Sequence, residues 1–312
     1  MKWIKRAGYT LLVLFFLLNV MAIFHAWQFT HFYSDAERVD LRSLGIIGKA
    51  NILFFGYKFP KPVVRDKPVS SFEDIILTTS DNLKISGWLV RNDSTGNGVI
   101  LMHGHGGTKG SLIKQAEYFQ NLGYTTLSID FRAHGDSEGN TCTVGFDEAE
   151  EVKLAFDFMK KAGYKKTILY GTSMGAAAII KATHDYDLDA ERLILEMPFG
   201  SLTDAVKGRM RIIGLPAAPF SQLLTFWGGV EQGYWAFNFS PCDYAVSIIC
   251  PVLLQWGDQD VRVQRHETEC IYENLPANKK LVVYEGAGHQ TLYRYDPAKW
   301  EGEIINFLKP KQ

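Results

Sequence analysis

Residues 166–184 read KTILYGTSMGAAAIIKATH. Residues 166–170 form a short apolar run of strand character, and residues 174–184 are Ala-rich and helical in character. Between them lies Gly171-Thr172-Ser173-Met174-Gly175, a Gly-x-Ser-x-Gly motif in a strand–turn–helix setting. A strand that becomes a helix within so few residues must turn sharply, and larger side chains in place of the glycines would clash. The turn lifts the Ser173 hydroxyl above the end of the sheet. The amide end of the helix favours negative charge beside it. The competing role for Ser173 is that of a plain helix N-cap.

Working outward, residues 73–79 and 83–90 are two strand-like runs joined by Ser80-Asp81-Asn82. Residues 98–103 form a short apolar run suited to a strand buried on both faces. A helix over 111–122 ends at Gly123, and a strand follows at 124–130. Val152, Ala155, Phe156 and Met159 recur at helical spacing within 145–161. Further strands are expected at 192–197, 252–256 and 281–284, with helices near 264–275 and 297–308. Such alternation predicts an α/β fold: a mostly parallel sheet of about eight strands with helices on both faces. Residues 72–312 then form one catalytic domain with an insertion at about 199–241. Residues 28–71 form a connector with Pro60, Pro62 and Pro68 near its end and a weakly amphipathic helix around 40–55.

In open α/β sheets, chemistry gathers beyond the carboxyl ends of the strands. Besides Ser173, three such ends carry useful groups. His103-Gly104-His105-Gly106-Gly107 is a glycine-rich loop whose backbone can turn amides toward a reacting carbonyl. The backbone N–H groups of His105 and Met174 are the candidate oxyanion hole. A His-x-His metal site is the rival reading of that loop, but no clear set of further ligands accompanies it. Trp256-Gly257-Asp258-Gln259-Asp260 and Gly286-Ala287-Gly288-His289 supply a carboxylate and an imidazole. The chain order Ser173, Asp260, His289 fits a nucleophile activated by an imidazole that a carboxylate orients. Asp260 is preferred to Asp258 because apolar Val261 and Val263 suggest a segment folded against the body, whereas Asp258 sits at a turn it can cap.

Over about residues 72–308 the chain resembles the α/β-hydrolase superfamily. The resemblance rests on the Gly-Thr-Ser-Met-Gly elbow, the His-Gly loop and Asp130-Phe131-Arg132-Ala133-His134-Gly135-Asp136-Ser137. This last segment is similar to the family's Asp-x-Arg-Gly-His-Gly-x-Ser loop, with Ala133 in place of the usual glycine. The family pattern also places the acid three residues after the glycine, at Asp260. The overall flavour is similar to membrane-anchored bacterial hydrolases of the serine aminopeptidase-like (Hydrolase_4) type. The resemblance implies hydrolysis of an ester, thioester or amide through an acyl-enzyme, with a small-molecule acyl substrate and neither cofactor nor metal. An esterase or acyl hydrolase is the first expectation. A peptidase of the same fold and a catalytically silent binding protein are the alternatives. It also implies a cap over the active site at 199–241, where Phe220, Phe226, Trp227, Tyr234, Trp235, Phe237 and Phe239 either wall an acyl site or pack on the cap's own body. Lys207, Arg209 and Arg211 either meet an anion or form a solvated face.

Composition sets outer bounds. Lys plus Arg number 33 against 34 Asp plus Glu, a net charge of -1 that argues against a nucleic-acid partner. Residues 1–27 hold Lys2, Lys5 and Arg6 followed by a 21-residue uncharged run from Ala7 to Trp27. That run suits a membrane anchor with the catalytic domain on the outer side. The alternative is a signal segment cleaved after Ala22, giving a secreted protein. Four cysteines in 312 residues exclude a disulfide scaffold, and the absence of a CxxC pair argues against a thiolate zinc site. Buried free thiols are the default, with one disulfide open to an exported domain and no pairing chosen by spacing. Oligomeric state is not legible.

Overall fold

The computed structural model describes residues 2–309 except 38, 40–43, 93, 95, 215 and 277. Its centre is a sheet of eight strands: β1 (Glu73–Thr78), β2 (Lys84–Val90), β3 (Gly98–Met102), β4 (Thr125–Ile129), β5 (Thr167–Thr172), β6 (Arg192–Glu196), β7 (Val252–Gly257) and β8 (Lys279–Tyr284). Their order across the sheet is β1-β2-β4-β3-β5-β6-β7-β8. Only the β1–β2 and β2–β4 pairings are antiparallel. The remaining pairings are parallel. Every residue of β3, β4, β5 and β7 is buried, as continuous apolar runs covered on both faces require.

Eleven helices surround this sheet among the described residues: α1 (Lys2–Thr30), α2 (Ile46–Phe55), α3 (Ile113–Asn121), α4 (Glu148–Lys161), α5 (Met174–Tyr186), α6 (Leu202–Ile213), α7 (Phe220–Gln232), α8 (Pro241–Tyr244), α9 (Arg265–Asn274), α10 (Leu292–Tyr295) and α11 (Pro297–Leu308). The spaced apolar residues Val152, Ala155, Phe156 and Met159 of α4 are all buried. Acidic residues fill its first turn and Lys160 and Lys161 its last, the arrangement that the helix dipole favours. The helix expected around 40–55 starts at Ile46; residues 40–43 of that expectation lie outside the described residues.

Helices α6 and α7 lie in the excursion between β6 and β7 and cover the carboxyl ends of the strands. Ser201 caps α6 by accepting the Asp204 amide, and Gly214, at φ 71°, ends it. The cap aromatics divide. Phe239 is fully buried against Phe199, and Tyr234 stacks on Phe146 at 3.8 Å. Trp235 is exposed, and Trp227 donates to the Asn19 side chain of α1 at 3.0 Å. Most of the set therefore builds the cap and its contact with α1 and does not line the cavity that holds Ser173.

The most apolar 18-residue stretch of the 29-residue α1 has a mean hydropathy of 2.2. Its first half is exposed, while Ala22, Ala26 and Thr30 are buried against the body. Besides Asn19, Thr30 accepts from Gln232 of α7, and Phe24 meets Phe55 of α2 edge to face. Such a helix is long and apolar enough to be a membrane anchor or a signal sequence. Cys242 and Cys270 form a disulfide that ties α8 to α9 across a separation of 28 residues. The default of free thiols is thus corrected for this pair and holds for buried Cys142 and half-buried Cys250.

Candidate active site

Ser173 stands between β5 and α5 at φ 51°, ψ −114°, a left-handed backbone that a non-glycine residue enters only at a cost. Close packing imposes it. A Cβ on Gly175 would lie 2.4 Å from the Met102 carbonyl oxygen, and one on Gly171 would lie 2.7 Å from the Ala176 nitrogen. Helix α5 therefore runs against the end of β3 with no room for side chains, and the turn holds Ser173 outward. The Ser173 amide is fixed by the Glu196 carbonyl at 2.7 Å.

Across the cleft, Ser173 Oγ lies 3.1 Å from His289 Nε2, and His289 Nδ1 lies 2.6 Å from Asp260 Oδ2. The other carboxylate oxygen of Asp260 accepts the amides of Arg262 at 2.7 Å and Val263 at 3.0 Å. The Asp260 side chain is wholly buried and that of His289 only 11% exposed. Asp258 is engaged elsewhere: it accepts the Gly286 amide at 2.7 Å and so joins the two loop ends. Of the two valines taken to fold this segment inward, Val263 is buried, but Val261 is 57% exposed. The backbone amides bound by Asp260 hold the loop instead.

Two residues that sequence reasoning did not single out, Glu196 and Lys109, support this arrangement. The buried Glu196 carboxylate accepts from Tyr170 at 2.7 Å, from Trp300 at 2.5 Å and from the Leu292 amide at 3.3 Å. It thus connects the strand before the cap to the segment that follows His289. Lys109, fully buried, donates to Asp130 at 2.7 Å and to Asp136 at 2.6 Å. Burial pushes the Asp130 carboxyl up, and the Lys109 ammonium opposes that push. Gly135 is required here, since a Cβ would collide with Asp130 at 2.2 Å. Ala133, at the family's glycine position, adopts φ 63° and is buried. A lysine and an aspartate so far apart in sequence carry no periodic signal, which is why the pair escapes a reading by pattern.

His105 and Met174 both border the cavity of about 70 Å³ that contains Ser173 and His289. Their amides bind no carbonyl among the described residues. Burial, with the nearby Arg209 and Arg262 charges, pushes the His105 imidazole down to about 3, so it is neutral. His103 offers no free nitrogen: Nδ1 meets the Gly104 carbonyl at 2.8 Å and Nε2 accepts the Phe131 amide at 3.1 Å.

Strand order, elbow and the cap between β6 and β7 define an α/β hydrolase. Residues 94–229 match the family model for the serine aminopeptidases, S33 (Hydrolase_4). The chain has the α/β-hydrolase fold, and this middle segment is similar to that group. It is similar to an esterase from Pyrococcus furiosus, Pf2001, at 27% identity and a TM-score of 0.66, over 80% of this chain and 97% of that one. It is 26% identical to the uncharacterized protein YqkD of Bacillus subtilis, over 85% of this chain and 92% of YqkD. It is also 25% identical to the lysophosphatidylserine lipase ABHD12 of Danio rerio over 64% of this chain. The chain matches 52% of that lipase's length.

Proposed function

We propose that the protein is a serine ester hydrolase that works through an acyl-enzyme, with Ser173 as nucleophile, His289 as base and Asp260 as the carboxylate that orients it. The single observation that carries this reading is the continuous hydrogen-bonded series from Ser173 through His289 to buried Asp260, at a strained elbow inside a cavity. Ser173 Oγ attacks the substrate carbonyl while His289 Nε2 takes its proton. Asp260 holds Nδ1–H and stabilises the imidazolium. The amides of His105 and Met174 receive the developing oxyanion, each worth about 3–4 kcal/mol in such sites. His289 then returns the proton to the leaving alcohol, and water repeats the steps in reverse order to release the acid. The esterase and lipase names of its relatives favour esters over amides.

The catalytic domain is held at the outer face of a membrane by α1. The uncharged run beside Lys2, Lys5 and Arg6 supports this, as does a disulfide suited to an oxidising compartment. A fluorophosphonate probe tests the chemistry. Labelling at Ser173 together with turnover of p-nitrophenyl esters is expected. Failure to label the folded full chain would leave a binding protein, and preference for aminoacyl amides would make it a peptidase.

A further inference from the structure

The catalytic cavity adjoins two larger spaces, and Arg209 lines all three. One, of about 400 Å³, is largely apolar and is bounded by Phe29 of α1, Ile52 of α2, Met210 and Ile213 of α6, and Leu224 of α7. It shares Phe29, Val144 and Arg209 with the cavity of Ser173. The other, of about 760 Å³, is polar and carries Lys61, Arg65, Asp66, Arg209 and Arg262. It shares His105, Arg209 and Arg262 with the cavity of Ser173.

The basic residues of α6 differ in how they are used. Lys207 binds Asp204 at 2.8 Å, and Arg211 donates to the Val261 and Arg262 carbonyls at 2.8 and 2.6 Å. Arg209 has no hydrogen-bond acceptor or carboxylate among the described residues. Its guanidinium lies 4.8 Å from the Phe59 ring centroid and 5.8 Å from that of Phe29, and the charge of Arg262 opposes it. Gly208 permits this crowding, since a Cβ there would lie 2.4 Å from the Arg262 carbonyl oxygen. Two cations brought together, one of them half-buried over aromatic rings, are unfavourable unless an anion joins them.

We infer that the three cavities form one site for a single-chain acyl ester with an anionic head: the chain in the apolar space, the ester at Ser173, and phosphate or carboxylate oxygens on Arg209 and Arg262. This rests on the serine-hydrolase reading above. It also gives α1 a second role, because its last turns wall the acyl space. A substrate drawn from a bilayer would meet that wall first.

The test uses the full-length protein in detergent with monolauroylglycerol phosphate, O-lauroyl lactate and neutral monolauroylglycerol, alongside fluorophosphonate labelling. The wild type is expected to favour at least one anionic ester over the neutral one by about tenfold to a hundredfold in kcat/KM, the scale of a charge-assisted hydrogen bond. Whichever anionic ester is favoured identifies the head as phosphate or carboxylate. Arg209→Gln should bring that ratio close to one, and Arg209→Lys should restore part of it, which a merely structural role would not do. Leu224→Trp should lower the preference for lauroyl over butyryl p-nitrophenyl esters by about tenfold. A wild-type ratio near one, a ratio unmoved in Arg209→Gln, or labelled protein that cleaves none of the lauroyl esters would overturn the inference and leave the Ser173 mechanism standing. Loss of labelling in the wild type would remove the mechanism itself.

Discussion

His134 Nε2 accepts the Gly106 amide at 3.1 Å, so the loop after β4 holds the loop after β3 in place. The relation is reciprocated: His103, from the β3 loop, accepts the Phe131 amide of the β4 loop at 3.1 Å. Each imidazole keeps its proton on Nδ1, donating to a carbonyl, and presents an unprotonated Nε2 to an amide. Two buried, neutral histidines thus fix the backbone at His105, where the proposed oxyanion donor lies.

This pairing gives a signed pH effect. Burial pushes the His103 imidazole down from 6.5 to about 4, so between these values the unfolded chain binds a proton that the native state refuses. The histidine's contribution to stability is complete above the unfolded pKa and is lost as pH falls toward the folded one. Compared with His103→Asn, the wild type should lose about 1.4 kcal/mol of unfolding free energy per pH unit below 6.5, ending near 4. Urea unfolding of both proteins across that window measures it. An equal pH slope in the two would show that His103 titrates normally.

Ser173→Ala should abolish ester turnover and covalent labelling without unfolding the protein, because only a hydroxyl at an already formed turn is removed. His289→Ala should be about as damaging, since nucleophile and base act as a unit. Steady-state assays with thermal melts of each variant separate lost chemistry from lost structure. Wild-type-like turnover in Ser173→Ala would defeat the mechanism.

Asp260→Asn should lower kcat by about 10³–10⁴. Its Oδ1 position can still accept the Arg262 and Val263 amides, but the group facing His289 Nδ1 becomes a donor and favours the wrong tautomer. Asp258→Asn keeps an acceptor for the Gly286 amide and should cost less than about tenfold. The reverse ranking would transfer the orienting role to Asp258.

Two glycine substitutions should act in opposite directions. Gly175→Ala forces a Cβ against the Met102 and His103 carbonyl oxygens, at 2.4 and 2.7 Å, and should cost more than about 3 kcal/mol. Gly302→Ala lies in exposed α11 with nothing within 4 Å of its Cβ and should stabilise by about 0.5–1 kcal/mol. Chemical denaturation reads both, and a neutral Gly175→Ala would refute the packing account of the elbow.

Residues 7–27 should remain in the mature protein. Intact-mass measurement of membrane-extracted protein decides this, and a chain beginning after Ala22 would establish a cleaved signal instead.

The sequence by itself determined the local elements and the chemistry available at their ends. Continuous apolar runs at β3 and β5 and the helical spacing in α4 are short-range patterns, and the glycines of Gly171-Thr172-Ser173-Met174-Gly175 report a turn that only small residues can make. The α/β class and the candidates Ser173 and His289 were therefore legible from neighbours a few positions apart, while the choice of Asp260 over Asp258 leaned also on the resemblance to the family pattern. Tertiary structure alone decided which distant groups meet. It brought His289 within 3.1 Å of a serine 116 residues away and paired Cys242 with Cys270. It also buried Lys109 against Asp130, and it left Arg209 without an acceptor among the described residues while Lys207 and Arg211 found theirs. Burial and partnership depend on chain segments folded together from far apart. A linear sequence records which side chains exist and how they alternate, but the contacts among them arise only when the sheet brings the loop ends to one edge.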